Sequence, residues 1–123
     1  MDRFVPSDLP EINSWYSARG LPEITSQEIP ITGYIHHGIA AGFLIRTDTC
    51  VCYLEGFITN PEASRTDRSK ALDDIVAMLL TRDETTGYRV VTVITKHDTI
   101  RRRAKKLGFF TVGDYTLLTR KLT

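Results

Sequence analysis

The sequence has no apolar run approaching the ~20 residues a membrane-spanning helix needs, and its opening MDRFVPSD is too polar to read as a secretory signal. It has no Walker-type glycine loop, no nucleophile motif and no zinc-ligand spacing, so the commonest signatures of nucleotide, covalent and structural-metal chemistry are missing. Charge of one sign is not in excess either. Sixteen Lys and Arg against fifteen Asp and Glu leave a net charge of +1, which excludes a globally basic, nucleic-acid-coating character though not a local patch. Cysteine is scarce. Cys50 and Cys52 stand one residue apart in a strand-like run, where both side chains leave the same face, too far apart for a relaxed disulfide. They read as half-buried free thiols suited to a reducing cytoplasm; a site shared with His36 and His37 is the alternative, and no metal is expected.

What is present has the proportions of one globular domain spanning residues 1–123, with 41% hydrophobic and 25% charged residues and no repeat. Met1 to Val5 reads as an edge strand stopped by Pro6. Ser7 is placed to cap a helix with Leu9, Ile12, Tyr16 and Trp15 on its inner face, ending near Arg19 and Gly20. Leu21 to Pro30, with two prolines, reads as a loop or one short helical turn. Thr32–His36, Ile39–Arg46 and Cys50–Thr59, separated by short turns, predict an antiparallel meander. Leu72, Ile75, Val76 and Leu79 recur at helical spacing, with Gly87 ending the segment. Tyr88–Thr95 predicts a strand covered on both sides. Asp98 can cap a second helix with Ile100, Ala104 and Leu107 inward, closed by Gly108, and Phe109–Val112 and Tyr115–Lys121 are strand-like. The strands ending at Thr59 and Thr95 must lie parallel and adjacent. The fold class is α/β in the mixed, α+β sense: a central mixed sheet with helices on both faces.

The stretch LEGFITNPEASRTDRSKALDDIVAML, then RVVTVIT, then HDTIRRRAKKLGFF, in that order, resembles the GNAT N-acetyltransferase superfamily over essentially the whole chain. The tryptophan helix, the ITGYIHHGIAAGFLIRTD meander and the EGFITNPEAS turn are similar to its compact, phage-type branch. The resemblance implies a GNAT-like fold, acetyl-CoA as cofactor, an acceptor amine as substrate and a dimer as a common assembly. It assigns the parted strand Phe57, Ile58 and Thr59 to the pantetheine through backbone groups. The family's glycine-bearing phosphate turn falls on Ser64-Arg65-Thr66-Asp67-Arg68-Ser69, where the glycines are replaced. Ser69 is small enough to stand in for one of them. Asp67 is not, because a carboxylate ~4 Å from a phosphate repels it by roughly 4 kcal/mol at an effective dielectric of ~20, before screening.

Ser64-x-x-Asp67 is also a capping-box pattern, so the helix can satisfy its own N–H groups; Asn60 as cap with Pro61 at the first helical position is an equally legible start. Arg65, Arg68 and Lys70 could bring positive charge to the cofactor's phosphates, or simply form a solvated helix face. The position of the family's acid tyrosine is Ala104, and that of a nearby cofactor-contacting Asn is His97, which could equally cap the helix or face solvent. Glu55 is the candidate catalytic base. If buried in its apolar strand its pKa would rise, which suits the role; otherwise it reaches solvent or pairs with an Arg.

Arg101, Arg102, Arg103, Lys105 and Lys106 form a basic helix that could track a phosphate backbone, but the charges are expected to surround the helix and the rest of the chain offsets them, so nucleic acid is not the expected partner. Trp15 and Tyr16, near Arg19, are core residues, acceptor-site residues or anchors for a protein partner. Two functions of different class follow: an acetyl-CoA-dependent N-acyltransferase with a degenerate phosphate turn, or an inactive GNAT-like protein acting by binding a host or self protein, in either case in the cytoplasm. Enzyme status hinges on Asp67 and Ala104.

Overall fold

The computed structural model describes residues 1–122. They divide into two units, residues 1–93 and residues 94–122. The first is a five-stranded sheet in the order β1 (Asp2–Arg3), β2 (Thr32–His36), β3 (Ala40–Ile45), β4 (Val51–Thr59) and β5 (Val90–Val93). The first three pairings are antiparallel and the fourth, Val51↔Val90 to Leu54↔Val93, is parallel. The meander and the single crossover are as the turn spacing predicts.

Helix α1 (Leu9–Ala18) covers one face, burying Ile12 and Trp15 against Phe4, Ile35, Ala41, Phe43 and Ile58. A short 3-10 turn, Pro6–Asp8, precedes it. Ser7 is therefore not the cap; instead the Asp8 carboxylate accepts from the Val5 N–H at 2.9 Å. The exit is as expected: Gly20 at φ 71° lets its own N–H and that of Leu21 return to the Ser17 and Tyr16 carbonyls.

Helix α2 (Arg65–Leu79) packs on β2 and β3 from the opposite face. Its buried line is Ala71, Ile75 and Leu79, spaced i, i+4, i+8, with Leu72 and Val76 half-buried at its flank. The helix stops eight residues before Gly87. Thr81 Oγ1 donates to the Met78 carbonyl at 2.9 Å and Thr85 Oγ1 to the Thr81 carbonyl at 2.8 Å, and such local bonds favour turns over a continuing helix. Strand β5 is shorter and more open than its β-branched composition predicts, with Val90 49% exposed. Tyr88 is drawn away, its hydroxyl donating to the Thr47 carbonyl at 2.9 Å and accepting from the Thr47 N–H at 3.0 Å. Both cysteines are free thiols, Cys50 exposed and Cys52 buried, and burial pushes the Cys52 thiol pKa up.

Two polar clusters tie the first unit together. Glu84, whose side chain is 12% exposed, accepts from Arg3 Nη1 (2.9 Å), the Tyr34 hydroxyl (2.7 Å) and Arg46 Nη2 (2.9 Å). It thereby joins the α2–β5 connection to β1, β2 and the end of β3. The second cluster surrounds His37 in the β2–β3 turn. Its Nδ1 lies 2.8 Å from Glu11 Oε1 and its Nε2 3.3 Å from Asp2 Oδ2, while Glu11 Oε2 accepts the Gly38 N–H at 2.6 Å. Asp8 completes a group of three side chains with the chemistry of metal ligands; both Glu11 oxygens are already in hydrogen-bond contact with protein groups, His37 Nδ1 and the Gly38 N–H.

The hydrogen bond to Glu11, aided by the charges of Glu11, Asp8 and Asp2, raises the His37 pKa above 6.5. A raised histidine pKa stabilises the fold fully below the unfolded value of ~6.5, and that contribution is lost as pH rises through the folded value. With His37 49% exposed, the contribution is that of a surface pair, below about 1 kcal/mol. An NMR titration should place the His37 midpoint above 6.5 and Glu11→Gln should bring it down; a wild-type midpoint at or below 6.5 would contradict the pairing.

The second unit holds α3 (Asp98–Lys106). His97, not Asp98, is its N-cap; Asp98 is the first helical residue and pairs with Arg101 at 3.2 Å. Gly108 closes the helix as expected, at φ 90°, with the Gly108 and Phe109 N–H groups returning to the Lys105 and Ala104 carbonyls. Ile100 and Ala104 are half-buried, whereas Leu107 is 57% exposed rather than inward. The two strand-like runs after it are not strands: within this unit they form no ladder, and an alternating pattern without a paired neighbour does not hold a strand. Among the described residues no helix is long and apolar enough to cross a membrane.

Candidate functional site

One feature of the first unit that could receive a ligand is the place where β4 leaves β5. The parallel pairing ends at Leu54↔Val93, while β4 stays bonded to β3 as far as Thr59. Between Phe43↔Glu55 and Ala41↔Ile58, one residue of β3 (Gly42) faces two of β4 (Gly56 and Phe57). This is a β-bulge with Gly56 at φ 69°, a conformation glycine adopts without strain. The bulge bends β4 away and opens the edge from Glu55 to Thr59.

Phe57 turns its half-buried ring onto the α2 face, where it fills the space a side chain at Gly42 would take. Ile58 is buried in the α1-side core, so only its backbone can serve a ligand. Thr59 is already engaged: Arg19 Nε donates to its carbonyl at 3.2 Å and Arg19 Nη2 to its hydroxyl at 2.6 Å. Glu55 lies on the α1 side and is exposed, not buried in its apolar strand. Its charge reaches Tyr16, whose phenol pKa burial pushes up and Glu55 raises further.

After Thr59 the chain is held by Asn60, which donates to the Gly38 carbonyl (2.9 Å) and accepts the Glu62 N–H (3.0 Å). Asn60 and Pro61 thus form a turn, not a helix start. Ser64 is the cap of α2, its hydroxyl accepting the Asp67 N–H at 3.0 Å. Asp67 sits exposed in the first turn of the helix; Arg65 is exposed, Arg68 and Ser69 half-buried. Lys70 pairs with Asp74 at 3.1 Å, and this hydrogen bond leads the causes that lower the Asp74 pKa. His97 belongs to the second unit, exposed at the α3 N-cap with no side-chain capping bond. The β4 edge, the Asn60 turn and the start of α2 are therefore contiguous in the chain and belong to one unit. Arg19 gives no signal of this contact in the sequence, because a helix-terminal cation facing a strand end is invisible in spacing alone.

The arrangement of these elements has counterparts among solved structures. A protein from Agrobacterium tumefaciens str. C58 described as a "putative acetyltransferase" superposes with a TM-score of 0.58 at 16% identity, covering 97% of each chain. An acetyltransferase from Trypanosoma brucei superposes with a TM-score of 0.60 at 13% identity, covering 96% of each. No family model and no curated protein matches the sequence. The chain has the GNAT-like fold that its residues resemble.

Proposed function

We propose that the protein is an acyl-CoA-dependent N-acyltransferase whose cofactor lies along the open edge of β4. The observation that carries this reading is the Gly56 bulge, which frees the β4 backbone from β5 beyond Leu54. Backbone groups of Phe57, Ile58 and Thr59 would hold the pantetheine of acetyl-CoA, with Arg65, Arg68 and Ser69 nearest the phosphates at the α2 start and Lys70 available once released from Asp74. Glu55, exposed beside Tyr16, would accept the proton of an acceptor amine. Two observations favour the other reading, an inactive fold that binds a protein: Asp67 stands where phosphate would come, and Arg19 occupies the end of the strand edge.

Calorimetric titration with acetyl-CoA and CoA separates them. The transferase reading expects micromolar binding, weakened by Arg68→Ala and tightened about tenfold by Asp67→Gly, the modest size fitting an exposed charge. No heat of binding at millimolar cofactor, in the wild type and in Asp67→Gly alike, would remove the transferase and leave the binding protein.

A further inference from the structure

The near-neutral total hides a segregation of charge. Residues 94–123 hold eight of the sixteen Lys and Arg but two of the fifteen Asp and Glu, leaving eight and thirteen in residues 1–93. The formal charges of the two stretches are +6 and −5. The basic residues of α3 do not ring the helix. At ~100° per residue, Arg102, Lys105 and Lys106 fall within about 100° of arc, opposite the narrow strip of Ile100, Ala104 and Leu107. All three are exposed, and no acidic partner is seen for them among the described residues. Arg101, beside them, is the one that Asp98 partly offsets. Just past the Gly108 cap, Phe110 is 81% and Tyr115 71% exposed, with Arg120 and Lys121 following.

We propose that this cationic face of α3, with Phe110 and Tyr115, is a binding surface for single-stranded nucleic acid. Exposed cations in successive turns follow a phosphate backbone, and exposed rings add a stacking surface that every base can use, whereas the carboxylates of an acidic peptide gain nothing from it. The aromatic component favours a single strand over a duplex, whose bases are already stacked. The acidic first unit repels the same ligand, so contact is confined to the second. The surface uses residues of the second unit alone and does not depend on cofactor binding at the β4 edge.

Fluorescence anisotropy of a labelled 20-mer of deoxythymidylate with the full chain tests this. The dissociation constant should lie between about 1 and 100 µM in 50 mM NaCl and weaken about 20- to 50-fold in 200 mM, the response to three or four neutralised phosphates. Neutralising Arg102, Lys105 and Lys106 together to Gln should weaken binding at least about tenfold with the melting temperature unchanged, and Phe110→Ala and Tyr115→Ala about fivefold each. The proposal is overturned by no anisotropy change at about 300 µM protein in 50 mM NaCl, or by undiminished binding in the triple variant. It is equally overturned if polyglutamate displaces the 20-mer as well as unlabelled 20-mer does, which would assign the face to acidic protein. A dimer abolished by Phe110→Ala and Tyr115→Ala would assign the rings to a second copy and overturn it too.

Discussion

Replacing Glu84 with alanine should destabilise the protein by about 3 kcal/mol, lowering the melting temperature by about 10 °C. The carboxylate is 12% exposed and accepts three hydrogen bonds, two of them from guanidinium groups. Removing it leaves Arg3 and Arg46 facing one another across a hollow and strands the Tyr34 hydroxyl. Their own exposure, 52% for Arg3 and 41% for Arg46, keeps the loss below that of a fully buried pair. Burial alone would push the Glu84 pKa up; the bonds from Tyr34 and Arg3 outweigh it, and the net shift is downward. Its contribution is therefore present above the unfolded carboxyl pKa of ~4.3 and lost as pH falls through the depressed folded value. Chemical denaturation of wild type and Glu84→Ala at pH 7 and pH 3 should show the difference shrinking in acid. A gap that stays constant between the two, or one below about 0.5 kcal/mol at pH 7, would mean that the cluster is a surface ornament.

How much of this was readable in the sequence follows from which forces each element rests on. The meander, the crossover and the position of α2 rest on periodicity and turns, and residues such as Ile75, Leu79 and Gly20 declare both locally. The fold resemblance rests on their order. Glu84 declares nothing, because its partners Arg3, Tyr34 and Arg46 are 81, 50 and 38 residues away and become neighbours only when β1 to β3 align. His37 and Glu11, 26 apart, are hidden in the same way. Phe109 to Lys121 failed for the opposite reason: the local pattern is strand-like, but a strand is a pairing, and that is set elsewhere. At the candidate site, the Ser64 cap was legible as a spacing. The exposure of Glu55 and the grip of Arg19 on Thr59 were not, since both depend on how β4 bends at Gly56.

Placing a methyl group at Gly42 is expected to damage the β4 edge more than any substitution on that edge itself. Gly42 does not have a positive φ, so its backbone would accept alanine, and a strand would ordinarily gain from the exchange. The obstacle is space. The new Cβ would overlap the Phe57 ring and stand 3.0 Å from Ile75 Cγ2, and Ile75 is fully buried, so the ring must give way. Overfilling of this kind costs about 2 kcal/mol. Because Phe57 is one of the two bulge residues, displacing its ring also disturbs the bend that opens Glu55 to Thr59, and acetyl-CoA binding, if the edge holds the cofactor, should weaken with stability. Phe57→Ala removes the overlapping ring atoms, Cδ1 and Cε1, altogether. The double variant should therefore recover about 1 kcal/mol relative to the sum of the single losses. Denaturant unfolding of the four proteins measures that coupling directly. Strictly additive losses would show that Phe57 and Gly42 do not share the space, and that the bulge is held by Gly56 alone.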